Sequence, residues 1–272
     1  MKNKHSNPMK NIFKWAFVAL ALVGVSCSKS DDNNGGDGSG SGSGFNSGDF
    51  TVGKHFPRKI IDTNAGHRSE TIYEISNGKV VKKDNLTYEY DGNLLKSIKY
   101  DDGSIRQEFS YSNNRLIKLY HRNEGTFEYT YDNQGRLSKK VRTLRGEKTT
   151  TEYEYIGDNT IQTTYEGRST TTYTFANGNL IKEIGGSQGT VVYEYDNKNN
   201  WQYNNNLMAT VFSALEEPFD YIASKNNVTK MTINGRTTII FQYEYNSEDY
   251  PTKVTELNLN DRTIERVTEY QY

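Results

Sequence analysis

Cysteine occurs once in the 272 residues, proline and histidine four times each, and tryptophan twice. A single cysteine excludes a disulfide framework, and histidines so few and so scattered argue against a zinc site. A dominant charge is missing too. The 33 Lys+Arg balance 34 Asp+Glu for a net charge of -1, whereas a nucleic-acid binder needs a basic face. Only 33% of the chain is hydrophobic, which does not suit the core of a helical or α/β enzyme. What the chain has instead is 21 Tyr, 11 Phe and 23 Gly. At roughly 100–200 residues per domain, this length suits one domain with appendages.

Catalytic signatures are absent as well. There is no Gly-x-Ser-x-Gly elbow, no phosphate-cradling glycine loop and no His-Glu-x-x-His. His55, His67 and His121 lie far apart in sequence and read as solvated surface residues. The many glutamates follow strand alternation with lysines nearby, as on a solvated sheet face, and not as an isolated carboxylate pair for glycoside hydrolysis. The expectation is a non-enzyme with no catalytic residue, no metal and no cofactor.

Residues 1–26 read as a signal segment. Lys2, Lys4, Lys10 and Lys14 precede the apolar run Ala16–Val25, which is too short to span a bilayer and ends in small residues. The sole cysteine stands at its edge, in Val23-Gly24-Val25-Ser26-Cys27. This resembles the lipobox of bacterial lipoproteins, with Gly24 where Leu is usual. The resemblance implies cleavage before Cys27 and acylation of its thiol; the bland alternative is a free cysteine after an ordinary signal. Losing four lysines and no acid takes the net charge from -1 to -5. Residues 27–50 continue as a Gly/Ser/Asp tract that cannot bury apolar surface, a linker with a mean span of about 26 Å. Its Asp31-Asp32 pair resembles the surface-export signal of Bacteroidetes lipoproteins, or is simply more linker. The expected address is the outer membrane, through a lipid anchor, facing the cell exterior or the periplasm.

Residues 51–272 carry a repeat. Two aromatics one residue apart lead into a turn, then an aliphatic residue and a lysine. Tyr88-Glu-Tyr90-Asp91-Gly92 is one copy, and Tyr129-Thr-Tyr131-Asp132-Asn-Gln-Gly135-Arg-Leu137 is the fullest. Between Phe109 and Tyr193 the copies are spaced by 20, 24, 20 and 20 residues. Period-2 alternation, as in Thr151-Glu-Tyr153-Glu-Tyr155, makes each copy a β-hairpin, and Asn77-Gly78, Asn177-Gly178 and Asn234-Gly235 suit two-residue type I′ turns. The predicted fold is all-β, an antiparallel meander of about 16–18 strands, curled or barrel-like. Closing those turns pairs Ile75 with Val80 and Phe175 with Leu180, and places Tyr73 opposite Lys82 and Tyr173 opposite Lys182. One face becomes an aromatic lane; the other carries Glu74, Glu89, Glu154, Glu194 and Glu244.

The Tyr129–Leu137 unit resembles the YD repeat of Rhs and teneurin proteins. Residues 69–272 resemble secreted Bacteroidetes lipoproteins of a domain family of unknown function with a porin-like fold. That likeness rests on the YxYD series, an Asn-rich interruption ending near Ser224–Val228, and Tyr250-Pro251-Thr252-Lys253. It implies a large curled or barrel-like sheet and no assigned activity. The interruption, about 197–227, breaks the repeat with a short helical or irregular insertion. It reads either as a plug burying its apolar face or as a ligand-gripping loop, for which Trp201, Tyr203, Phe212, Phe219 and Tyr221 are the candidate residues. The expected work is binding of a glycan or a protein partner, with no nucleic acid; the alternative is an accessory of an outer-membrane export or uptake complex. An integral outer-membrane barrel fits less well, because Arg266 shares a face with Thr268 and Tyr270.

Overall fold

The computed structural model describes residues 50–186, 188–203, 224–259 and 263–272. The described residues form eighteen strands and no helix. The first six are β1 (Lys59–Asn64), β2 (His67–Ser76), β3 (Lys79–Lys83), β4 (Leu86–Asp91), β5 (Leu94–Tyr100) and β6 (Ile105–Ser112). Then come β7 (Arg115–His121), β8 (Gly125–Tyr131), β9 (Leu137–Leu144), β10 (Glu147–Ile156), β11 (Thr160–Tyr165) and β12 (Ser169–Ala176). The last six are β13 (Asn179–Gly185), β14 (Gly189–Tyr195), β15 (Val228–Ile233), β16 (Arg236–Tyr245), β17 (Pro251–Asn258) and β18 (Thr263–Gln271).

Each strand pairs antiparallel with its sequence neighbours, and β18 pairs back onto β1, with Thr268 opposite Asp62. The meander is therefore a closed barrel with no free edge. The closing strand β1 carries no copy of the aromatic repeat; its Ile60 lies opposite Tyr270 on one side and Thr71 on the other.

Alternation decides what faces inward. Tyr73, Tyr88, Phe109, Tyr129, Tyr153, Tyr173 and Tyr193 are all buried and belong to one continuous core with Leu95, Leu116, Leu137 and Leu180. Their neighbours along each strand face outward and form cross-strand ion pairs: Glu89 with Lys99 at 2.7 Å, Glu194 with Lys230 at 2.7 Å, and Glu244 with Lys253 at 2.9 Å. The inward face is thus mostly apolar while the outward face carries ion pairs, unlike the outward apolar band of a lipid-spanning barrel.

The turns behave as their residues require. Both central residues of Asn77-Gly78 have positive φ, 50° and 70°, and Asn177-Gly178 and Asn234-Gly235 repeat the pattern, as type I′ loops demand. The inner pairs Ile75–Val80 and Phe175–Leu180 form as the sequence predicts. The next pairs do not. A bulge after each inner pair moves Lys82 outward, opposite Glu74, and sets Lys83 opposite Tyr73, its Nζ 5.7 Å from the ring centroid. In the same way Lys182 faces Thr174, and Glu183 takes the place opposite Tyr173. Such bulges recur at Glu89/Tyr90, Ser110/Tyr111, Thr130/Tyr131 and Glu244/Tyr245. Each sharpens the local twist, which a closing sheet needs.

A second device accompanies the bulges. The ladders between successive hairpins stop short of the turns; β3 and β4, for example, pair only at Lys82–Thr87 and Lys83–Leu86. Across those gaps a tyrosine hydroxyl donates to a carbonyl: Tyr90 to Val80 at 2.7 Å, Tyr111 to Leu95 at 2.8 Å, Tyr131 to Leu116 at 2.6 Å, and Tyr272 to Pro251 at 2.7 Å. Tyr195 does the same to Leu180. Between β11 and β12 the ladder runs on through Phe175 N donating to Asn159 O, and there the repeat has Phe175, which lacks a hydroxyl. In these five units the second aromatic therefore closes the seam between hairpins.

Candidate functional site

The barrel has two unlike ends. At one end lie the turns Asn77-Gly78, Asn177-Gly178 and 246–250, both stems of the insertion and the incoming N-terminal segment. Phe50 is fully buried there, with its ring edge-on to Tyr111 at 6.3 Å. Phe56 meets Tyr73 at 5.0 Å and Trp201 at 5.6 Å, and Trp201 meets Tyr270 at 5.9 Å. Val52 N donates to Gly78 O, Lys54 pairs with Glu248 at 2.6 Å, and His55 stacks on Tyr250 at 3.8 Å. We call this the plug end.

The insertion is held at both stems. Asp196 accepts from Asn227 N at 3.1 Å and from the Tyr245 hydroxyl, while Ser224 Oγ accepts from Leu180 N at 3.0 Å. Asn226 N donates to Asn179 Oδ1 at 2.9 Å. Of the residues that the sequence nominates for binding, Trp201 is 6% exposed within the aromatic plug. Tyr203 is half-buried, with its N donating to Asn200 O at 3.2 Å. Phe212, Phe219, Tyr221 and the lipidation candidate Cys27 lie outside the described residues, as does most of the segment predicted as helical or irregular.

At the opposite end, which we call the rim, charged side chains enter the inward face. On one wall Thr268 Oγ1 donates to Asp62 at 2.9 Å, and Arg266 Nε lies 3.6 Å from the same carboxylate. Burial pushes the carboxyl of Glu256 up, against the pull of Arg266. The facing strands carry bases. Lys140 is 7% exposed, between Tyr129 and Thr151 in the ladders, and Arg142 grips the Glu124 carboxylate and carbonyl. Burial, and then Arg106, pushes His121 down. His121 is thus buried on the inward face, not solvated as the sequence suggests, and its Nδ1 accepts from Asn123 N and Glu124 N at 3.3 and 3.1 Å. Gln107, buried opposite His121 in the ladder, joins it on this face, and parity is the signal for both: Gln107 precedes the core residue Phe109 by two, and His121 follows Leu119 by two.

Above this interior, the turns 84–85, 101–104 and 122–124 enclose a solvent-open cleft of about 400 Å³. Tyr100 forms one wall, with Arg122 and Arg106 lying 5.7 and 6.0 Å from its ring centroid. Among the described residues no three His, Cys, Asp or Glu side chains converge on a metal-sized site.

No protein-family model matches the chain, and no curated protein matches it. Among solved structures, a porin-like protein from Bacteroides vulgatus is 14% identical, with a TM-score of 0.45 over 79% of this chain and 98% of that one. A porin-like protein from Bacteroides uniformis is 11% identical, with a TM-score of 0.43 over 79% of this chain and 97% of that one.

Proposed function

We propose that the protein is a lipid-anchored, non-catalytic binding protein of the bacterial outer envelope, moored through Cys27 and standing in water as a closed barrel. The observation that carries this reading is the ion-paired outward face. Outward pairs such as Glu89–Lys99 and Glu244–Lys253 occupy the face where an integral barrel needs an apolar band about 25 Å tall. With that face turned to water, membrane attachment falls to the N-terminal lipobox-like segment.

The entry point of the chain adds an orientation. Phe50 and Phe56 dock at the plug end, so a tether from Cys27 leaves the barrel there. The rim, with its cleft and charged interior, is then carried on the side away from the lipid, free to meet a ligand.

Metabolic labelling with a clickable palmitate analogue in a bacterial host, followed by fractionation, tests this. Wild-type protein should take up label and sediment with the outer membrane. A variant in which an ordinary cleavable secretory signal replaces residues 1–27 should take up none and move to the soluble fraction. If that variant instead stays in the membrane pellet through carbonate extraction, the barrel itself is held by lipid and the proposal fails.

A further inference from the structure

We infer that the rim cleft is a binding subsite for a neutral saccharide. This rests on the binding-protein reading and names the ligand class. The cleft offers about 400 Å³ and is open to solvent along one side, as suits one residue of a longer chain more than a fully enclosed small molecule. Its lining explains the ligand. Asp101, Asp102, Arg122 and the amides of Asn85 and Asn123 all line it. Two carboxylates repel an anion such as a uronate or a sulfate. Arg122, with Arg106 close by over the same ring, disfavours a cation. What satisfies carboxylates, a guanidinium and primary amides together is a neutral molecule rich in hydroxyls, each of which both donates and accepts.

The lining is also built in advance. Gly103 N donates to Tyr100 O, Tyr100 N to Ser104 O, and Ser104 N to Asp102 Oδ1, which locks the 101–104 turn. Arg122 donates to Ser104 Oγ at 2.9 Å, tying that turn to its neighbour, and Arg122 N donates to Arg106 O. His121 Nδ1 holds the 122–124 turn from below. Little ordering therefore remains to oppose binding. Asp101 is 62% exposed, and its nearest cation is Lys82, at 3.9 Å, so its carboxylate stays accessible.

The test uses full-length protein in detergent, titrated calorimetrically with neutral gluco-, manno- and xylo-hexasaccharides, an oligogalacturonate and a sulfated oligosaccharide. At least one neutral hexasaccharide should bind saturably, while the two anionic probes should not. Arg122→Ala and Asp101→Asn should each weaken binding about tenfold or more, and unchanged melting temperatures would show that both variants fold. Trp201 emission should stay fixed, because that residue sits at the plug end. Binding of the anionic probes alone, or of no probe, overturns the inference, as does neutral-sugar binding that ignores both variants or shifts Trp201. A blank titration of protein whose Cys27 takes up palmitate would remove the saccharide site and leave the tether standing.

Discussion

The hydroxyl of Tyr131 donates a 2.6 Å hydrogen bond to the carbonyl of Leu116, across a gap where the ladder between β7 and β8 has already ended. In five of the repeats one polar atom thus stitches neighbouring hairpins together. Tyr131→Phe should destabilise the protein by about 0.5–1.5 kcal/mol, since a half-buried carbonyl loses its partner. Tyr155 occupies the equivalent place one hairpin later, but its hydroxyl makes no hydrogen bond, and Arg136 lies over its ring at 4.2 Å. Tyr155→Phe should therefore be nearly neutral. Urea melts of the two variants side by side provide the comparison.

Gly125 opens β8 with φ at +87°, and a Cβ built there would fall 2.1 Å from the carbonyl oxygen of Thr143. Gly125→Ala adds that collision to a backbone strain of about 1–3 kcal/mol. Gly103, with φ at +79° and open space around it, bears only the strain. Gly125→Ala should lower the melting temperature clearly more than Gly103→Ala does.

Alkali should unfold the protein through its tyrosines. Burial pushes Tyr88, Tyr111 and Tyr129 well above the ordinary phenol value, and Tyr155 and Tyr270 up to about 12. A raised folded value means that the stability from these groups is complete below the unfolded value of 10.0 and fades as pH climbs toward the folded ones. Absorbance at 295 nm should show these core phenols ionising only as the near-ultraviolet circular dichroism collapses. Early, complete ionisation of the native protein would contradict their burial.

His121 gives the opposite slope on the acid side. Its folded value is held below 6.5 by burial and by Arg106, so an unfolded chain binds the proton more readily. Its contribution is present above pH 6.5 and is lost as pH falls toward the folded value. His121→Gln should flatten the pH dependence of unfolding free energy below neutrality, measured by denaturant melts.

Much of this architecture is legible in the sequence. The Asn-Gly turns, the Tyr-x-Tyr alternation and the inner pairs Ile75–Val80 and Phe175–Leu180 follow from two short-range rules, positive φ in tight turns and a side-chain period of two. The outer pairs escape those rules, because a bulge adds one residue that composition does not mark. Lys83, not Lys82, consequently lies under Tyr73. Closure is hidden for a different reason: the strand that completes the ring, Lys59–Asn64, has no repeat of its own, and its partner lies at the far end of the chain. The rim cleft is hidden as well, since Asn85, Ser104 and Arg122 sit in three separate turns that only the curvature of the wall brings together.

The bond from Thr268 to Asp62 joins positions 206 residues apart. Until the polypeptide has been delivered through β18, the first and last ribbons each expose an unsatisfied border, a template for joining another molecule. The chain must therefore keep both borders apart from its neighbours while it waits for its own far end. The zipping of β1 to β18 is the step at which a sticky intermediate becomes a ring whose backbone has no border left to offer.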